Sequence, residues 1–91
     1  MGRQARERPK RLAGKLIQVR LSLGLSQNQM LAKLGLDEKL SRTAISGYEL
    51  GTTEPSLIVL LNYSRLANVH LEVLVDDEMD LPKRLIGRLK Q

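Results

Sequence analysis

One local pattern occurs at three places in the chain: an apolar residue, then a polar capping residue, and a second apolar residue five positions after the first. Apolar side chains at this spacing pack against each other across the start of a helix. No segment of convincing length alternates apolar and polar residues with the period of two that a strand requires, and no internal repeat is visible. The sequence therefore predicts an all-α fold. The three patterns are Leu25 to Met30 around Ser26, Leu40 to Ile45 around Ser41, and Val69 to Leu74 around His70.

Apolar residues at helical spacing and the turn residues between them predict five short helices. Pro9 suits the first turn of helix one. Ser26 and Gln29 have the spacing of a capping box, and Ser41 offers the next side-chain cap. Helix four is expected to bury the face that carries Leu57, Leu60, Leu61 and Ser64. The predicted helices run from Pro9 to Gly24, from Gln27 to about Leu34, from Arg42 to just before Gly51, from Ser56 to Asn68, and from His70 to about Asp76.

Length and composition exclude several classes of protein. The chain has 91 residues, which fits one small domain, and it has no cysteine and a single histidine. Disulfides, thiolate zinc sites and multi-histidine metal sites are therefore excluded. No nucleophile, base and orienting group form a recognisable set, so we predict a protein that is not an enzyme and needs no cofactor or metal. No apolar run approaches the roughly 20 residues of a membrane span, so we expect a bacterial or phage-like cytoplasmic protein.

The formal net charge of +5 is distributed unevenly along the chain. Basic residues dominate residues 1–24 and 81–91, whereas acidic residues outnumber basic ones in residues 25–80. A polyanionic partner explains this balance, and so does a solvated basic surface without a partner. The distribution is typical of a domain whose basic ends attract phosphate while its folded centre provides a surface of complementary shape. We divide the chain into a basic N-terminal arm (1–9), a folded domain (10–78) and a basic amphipathic tail (79–91).

Helices two and three, with a glycine-containing turn between them, have the helix-turn-helix arrangement. Three motifs follow in order: Gly24-Leu25-Ser26-Gln27, Ile45-Ser46-Gly47-Tyr48-Glu49-Leu50-Gly51, and Pro55-Ser56-Leu57. Together they resemble the DNA-binding domains of the phage-repressor and Cro type, also called the xenobiotic-response-element type. The likeness covers about residues 10 to 76. It implies a five-helix bundle that binds double-stranded DNA, although the connection from Gly35 to Ile45 is longer than in the family.

The resemblance also implies which residues contact DNA. In the family, the residue at the position of Gln27 touches DNA, often at a phosphate, and the outer face of helix three contacts bases. Arg42 can bond both acceptors of a guanine, or it can bind a phosphate. Gly47 replaces a long polar side chain, so it either allows close approach to DNA or has lost a base contact. The predicted DNA-binding residues are Gln27, Arg42, Thr43, Ser46, Gly47 and Thr52, with Arg6 and Arg8 in the arm and Lys10 directly after it. Arg3 and Arg11 are expected to add to the attraction of phosphate.

Arg20 and Glu49 occupy positions that form a partly buried ion pair in some relatives. Glu49 is flanked on its own helix face by Ile45 and Tyr48, so we expect the pair to be buried. It would then hold helix three at a fixed angle to helix one. The alternative is a solvated pair that contributes little.

Apolar residues outside the expected core point to a second subunit or another protein. On helix four these are expected to be exposed, and in the tail they recur every fourth residue. The tail could instead cover the domain's own core or lie on a membrane surface. A dimer is the favoured interpretation, since two-fold dimers bind palindromic operators. The predicted dimer or partner surface consists of Ile58, Val59, Leu66, Leu85 and Leu89.

These observations predict a sequence-specific transcriptional regulator, a repressor, that binds an operator as a homodimer with helix three in the major groove. It would act in the cytoplasm in association with the nucleoid. The alternative is a module of the same fold that binds a protein partner through helix four and the tail, as a bridging factor or an antitoxin does.

Overall fold

The computed structural model describes residues 8–84 of the protein. This part of the chain contains five α-helices and no β-strand. The all-α expectation is confirmed. The first helix, however, begins at Leu12 rather than in the turn that contains Pro9. The helices are α1 (Leu12–Ser22), α2 (Gln27–Lys33), α3 (Arg42–Leu50), α4 (Leu57–Ala67) and α5 (Leu71–Val75).

Side-chain caps fix the starts of α2 and α4. The Gln29 N–H donates to Ser26 Oγ at 3.0 Å, and the Ser26 N–H donates to Gln29 Oε1 at 2.8 Å, so the predicted capping box is present. The Val59 N–H likewise donates to Ser56 Oγ at 3.3 Å. Ser41 precedes α3 as expected, but its side chain makes no capping bond. Its hydroxyl lies 2.9 Å from the hydroxyl of Thr43 instead.

The residues at which the sequence predicts helices three and four to end adopt the left-handed conformation. Gly51 follows α3 with φ at 80°, and Asn68 follows α4 with φ at 61°. Glycine and asparagine adopt this conformation at lower cost than other residues. The chain therefore turns sharply at both places, and α4 packs against the same core as α1 and α5.

All five helices contribute side chains to one hydrophobic core. The core also includes Leu81, which is 7% exposed although it lies in the segment assigned to the tail. The packed bundle thus continues past residue 78. The apolar residues of the core are Leu12, Leu16, Val19, Met30, Leu31, Leu34, Ile45, Val59, Leu60, Tyr63, Leu66, Ala67, Leu74 and Leu81.

The buried face of α4 differs from the expected one. Val59 and Leu66, predicted as an exposed partner surface, are 6% and 8% exposed and belong to the core. Leu57, predicted to face inward, is 73% exposed, and Ile58 is 65% exposed as expected. The helix begins with five consecutive apolar residues, so its sequence does not specify which side is buried. Packing against α1 and α5 selects the side that carries Val59 and Leu66.

The segment after α5 closes over the start of α1. The Asp77 carboxylate accepts hydrogen bonds from the backbone N–H groups of Lys10 and Arg11, at 2.9 and 3.0 Å. The first N–H groups of a helix have no partner within the helix, and the Arg11 side chain makes no capping bond. Asp77 therefore caps α1 from the other end of the chain. These two hydrogen bonds hold the pKa of Asp77 below its ordinary value.

Two basic side chains of the N-terminal region strengthen this closure. The Arg11 guanidinium donates to the carbonyl oxygen of Asp77 at 2.7 Å and pairs with the Asp80 carboxylate at 2.6 Å. Lys15 is 2% exposed, and its Nζ donates to the carbonyl oxygens of Val73 and Asp76 at 2.7 and 2.8 Å. Burial, and secondly the charge of Arg11, lower the pKa of Lys15. In the free protein, the Arg11 guanidinium is thus bonded to the segment after α5.

Within residues 8–84, no helix combines the length and the apolar character needed to cross a membrane. In the same part of the chain, no three acidic or histidine side chains are grouped closely enough to hold a metal ion.

Candidate nucleic-acid interface

The outer face of α3 is exposed at both ends of the helix and half-buried at its middle. Arg42, Thr43 and Leu50 are exposed, and Ser46 is half-buried. Leu50 is 73% exposed. Residues 43, 46 and 50 follow each other at helical spacing, so they form one stripe on the side of α3 that faces away from the core. The inward face carries Ile45, which is fully buried, as its periodicity predicts. The helix therefore presents polar side chains to solvent at its first two turns.

An ion pair joins α3 to α1 beneath this face. Arg20 Nε donates to Glu49 Oε2 at 2.7 Å, and Arg20 Nη2 donates to Glu49 Oε1 at 3.0 Å. The Glu49 side chain is 5% exposed and the Arg20 side chain 16% exposed. Arg20 Nη1 also donates to the carbonyl oxygen of Leu25 at 3.0 Å. The hydrogen bond with Glu49 raises the pKa of Arg20. The pair is thus bidentate, with a buried carboxylate and a half-buried guanidinium, and it fixes α3 relative to α1.

Gln27 lies between the ion pair and the first residue of α3. Its Nε2 donates to Glu49 Oε1 at 3.1 Å, and its Oε1 accepts from Arg42 Nη1 at 3.4 Å. The side chain was expected to contact phosphate or to be solvated at a helix end. In the free protein it is half-buried and bonded at both ends of its amide. The second N–H of its Nε2 remains a possible donor to DNA.

The structure explains why position 47 is a glycine, which the sequence alone does not. Its carbonyl oxygen accepts the backbone N–H groups of Thr52 and Thr53 at 3.0 and 3.3 Å. A Cβ at position 47 would lie 2.6 Å from Thr53 Oγ1 and 3.4 Å from Thr52 Oγ1. The loop after α3 therefore folds back onto the helix at this position. Both interpretations offered from the sequence concerned DNA, whereas the close approach seen here is within the chain.

The basic residues near α1 divide into two groups. Arg11, Lys15 and Arg20 are bonded to the protein's own carboxylates and carbonyl groups. Lys10 is exposed, and Arg8 lies 3.7 Å from the Glu54 carboxylate with its side chain 48% exposed. The positive charge available to a partner is thus smaller than the composition indicates. The other predicted contacts in the arm and tail, Arg3, Arg6, Leu85 and Leu89, lie outside the described residues.

Two contacts of this region were missed by the sequence analysis. Asp77 lies 66 residues from Arg11, and Thr53 acts through its proximity to Gly47. Neither pair has a spacing that local periodicity can detect, because both depend on how the chain folds back on itself. The acidic run after α5 was visible in the sequence, but nothing in it identifies the helix that Asp77 caps.

A short α2, a turn, and an α3 whose outer face is exposed define a helix-turn-helix domain of the kind that binds DNA. A family model described as helix-turn-helix matches residues 16–74 of the chain. The chain therefore belongs to this helix-turn-helix family, the type of phage repressors and Cro, which confirms the resemblance in its sequence. The family consists of DNA-binding regulators. No curated protein and no solved structure matches the chain.

Proposed function

We propose that the protein is a sequence-specific transcriptional repressor that binds an operator as a homodimer, with α3 in the major groove. The observation that carries the proposal is the exposed outer face of α3, with Arg42, Thr43 and Ser46 on it, above a buried ion pair. The family consists of DNA-binding regulators, which supports the choice of ligand. Because that ligand is DNA, the protein acts in the cytoplasm in association with the nucleoid.

The proposed base contacts lie at the first two turns of α3. Arg42 donates to both acceptors of a guanine, and this contact supplies most of the sequence preference. Thr43 and Ser46 offer hydroxyl groups that any base or phosphate can accept, so they fix position more than they specify sequence. Gly47 makes no base contact in this proposal, because the Thr53 hydroxyl occupies the space beside it.

Phosphate contacts surround this face. Gln27 contacts a phosphate through the Nε2 N–H that Glu49 leaves free. Thr52 lies in the loop after α3 and offers a hydroxyl. Arg8 and Lys10 supply positive charge from the N-terminal side, together with Arg6. These contacts set the register of the domain on DNA without selecting a sequence.

The two subunits of the dimer meet through the exposed apolar start of α4. Leu57 and Ile58 are 73% and 65% exposed and adjacent. Two-fold pairing places the two α3 helices in successive major grooves, about 34–36 Å apart. Leu85 and Leu89, which lie outside the described residues, remain candidate dimer contacts in this proposal.

A salt titration tests the DNA interaction itself. If each subunit neutralises about five phosphates, a plot of log affinity against log salt has a slope of roughly −9 for the dimer. Fluorescence anisotropy with a labelled duplex between low and moderate salt measures this slope. A slope near zero would refute the DNA-binding function.

The same exposed residues favour one second candidate, a protein-interaction module of helix-turn-helix fold. In that case Leu57 and Ile58 bind a different protein, as in a bridging factor or an antitoxin. Co-purification would then recover a stoichiometric partner, and the double variant Leu57→Ser/Ile58→Ser would lose it. DNA would bind only weakly and without sequence preference. A homodimer that dissociates in the same double variant supports the repressor instead.

A further inference from the structure

Leu50 is an apolar side chain on a face of α3 that is otherwise polar. It is 73% exposed, and within residues 8–84 it belongs neither to the hydrophobic core nor to the partly buried residues packed against the core. It follows Thr43 and Ser46 on the outer stripe of the helix, away from the buried Ile45. Leu50 therefore lies on the surface that the proposed function places in the major groove, although its side chain forms no hydrogen bonds.

The two ends of α3 present different chemistry to solvent. The first turn carries exposed polar side chains. Among residues 46–50, Leu50 has the one exposed side chain. Glu49 is buried, and the space beside Gly47 is occupied by the Thr53 hydroxyl. At its C-terminal end, α3 thus offers a partner an apolar contact.

The major groove contains few favourable partners for a leucine side chain. Base edges present hydrogen-bond donors and acceptors, and a leucine that covers them displaces water without replacing its hydrogen bonds. A phosphate group also loses hydration against an apolar side chain. The C5 methyl of thymine is the apolar group that the bases present in this groove. Contact between a leucine and that methyl removes apolar surface of both groups from water, which favours binding.

We infer that Leu50 contacts the C5 methyl group of a thymine and thereby selects an A·T pair in each half-site. This inference rests on the proposed function and deepens it, since it adds a second selected base pair to the guanine contacted by Arg42. Leu50 lies eight positions after Arg42 in α3. A helix rises about 1.5 Å per residue and base pairs are about 3.4 Å apart, so the thymine lies within about four base pairs of that guanine.

The alternative partners of Leu50 are the deoxyribose groups of the DNA backbone and a second protein chain. A deoxyribose is present at every position, so contact with it contributes equally to all sequences. A protein contact would change the oligomeric state and not the base preference. The methyl group is the partner that replacing a single base removes, so base replacement separates these alternatives.

The test replaces thymine by deoxyuridine, which lacks only the C5 methyl group. Selection from random duplexes first defines the half-site, and each thymine of the half-site is then replaced in turn in both half-sites. We expect one replacement to weaken wild-type binding by about two- to fourfold per half-site, which is the effect of one buried methyl group. Fluorescence anisotropy with labelled duplexes measures the dissociation constants.

Three variants show whether this effect depends on Leu50. Leu50→Ala shortens the side chain and should bind the thymine and deoxyuridine duplexes equally well. Leu50→Met keeps a long apolar side chain and should retain the preference for thymine. Leu21→Ala is the matched control, because Leu21 is 62% exposed on α1 and lies outside the proposed interface. It should leave the preference for thymine unchanged. Both positions are exposed, so all three variants should fold.

Four results would contradict parts of this account. Deoxyuridine that weakens the wild type and Leu50→Ala equally would overturn the inference, even if Leu50→Ala binds every duplex less tightly. A selected half-site without a thymine would overturn it as well. A change from dimer to monomer in Leu50→Ala, measured by analytical ultracentrifugation, would assign Leu50 to a subunit contact and overturn the inference too. A wild-type protein that binds every duplex alike would instead contradict the proposed function, on which the inference depends.

Discussion

Arg20 and Glu49 lie 29 residues apart in the chain, and their side chains meet in two parallel hydrogen bonds of 2.7 and 3.0 Å. A planar guanidinium and a planar carboxylate bonded in this way allow little relative rotation. The pair fixes how α3 lies on α1 and leaves the opposite face of α3 exposed. The placement of the candidate interface thus depends on two residues that do not belong to it.

Removing one partner of this pair should cost more than removing an exposed charge. In Glu49→Ala, the half-buried Arg20 guanidinium is left without its carboxylate and keeps only its hydrogen bond to the Leu25 carbonyl oxygen. We expect the free energy of unfolding to fall by about 3–5 kcal/mol, as for other buried pairs that lose one partner. Urea unfolding of the wild type and the variant measures this difference. Glu72→Ala, an exposed change on α5, is the control, and an equally small effect for both would show that the pair contributes little.

Arg42 and Lys10 should differ in the kind of binding that they support. Arg42→Ala should cost about 1–3 kcal/mol on the preferred site and flatten the preference for its sequence. Lys10→Ala should weaken binding to all duplexes alike and reduce the salt slope of the dimer by about two, because each subunit loses one phosphate contact. Titrating both variants with specific and random duplexes at several salt concentrations makes the comparison. Equal losses for the two variants on every duplex would show that Arg42 selects no base.

The cap that Asp77 provides should be sensitive to acid. Hydrogen bonds from Lys10 and Arg11 lower the pKa of Asp77 in the folded protein from its ordinary value of 3.8. The carboxylate therefore stabilises the fold above about pH 4, and this contribution disappears as the pH falls through the folded-state pKa. Asp77→Asn should be less stable than the wild type at pH 7 and lose less stability on acidification. Thermal unfolding from pH 7 to pH 2 tests this.

Glu78→Gln is the control for Asp77→Asn, since the Glu78 side chain forms no hydrogen bond within residues 8–84. It removes one negative charge next to Asp77 without removing a cap. Identical acid profiles for the two variants would mean that overall charge, and not the cap, governs acid stability.

Gly47 and Thr53 should not behave additively. Alanine is better than glycine in a helix interior by about 0.5–1 kcal/mol. In the wild-type background, Gly47→Ala should not gain this stability, because the alanine Cβ would lie 2.6 Å from Thr53 Oγ1. Thr53→Ala removes that atom, so Gly47→Ala should then stabilise the protein by the full amount. A double-mutant cycle from urea unfolding measures the coupling, and additive effects would show that Thr53 does not restrict position 47.

The Tyr63 hydroxyl should contribute nothing to stability. The residue is fully buried, and its hydroxyl has no hydrogen-bond partner among the described residues. Burial also raises the pKa of Tyr63. Tyr63→Phe should leave the free energy of unfolding unchanged or raise it by up to about 1 kcal/mol, because an unsatisfied hydroxyl is removed. A loss of about 1 kcal/mol or more would reveal a hydrogen bond that the structure does not contain.

The helix starts and stops were largely predictable because they depend on neighbouring residues. Ser26 and Gln29 form their capping box over three positions, and Asn68 ends α4 in the conformation that asparagine tolerates. The start of α1 was not predictable in the same way. Its cap, Asp77, comes from a segment that only the folded chain brings near.

The face of α4 and the use of the basic residues were the parts that local sequence could not decide. Because α4 begins with five consecutive apolar residues, its sequence does not determine which side is buried. Packing against the other helices leaves Leu57 exposed and places Val59 in the core. Nothing in the residues next to Lys15 distinguishes it from a surface lysine. It is buried because its side chain bonds to the carbonyl oxygens of Val73 and Asp76, which are distant in the sequence. The net charge of the sequence therefore overstated the positive charge that is available to a partner.

The most direct test of the account is selection of bound fragments from a pool of random duplexes, performed with the wild type and with Arg42→Ala. We predict that the wild type enriches an inverted repeat whose half-sites are about 34–36 Å apart, with a guanine in each half-site. That guanine preference should disappear in Arg42→Ala while the repeat spacing remains. No enriched sequence with the wild type, or the same guanine preference with Arg42→Ala, would contradict the claim that α3 docks in the major groove and selects bases through Arg42.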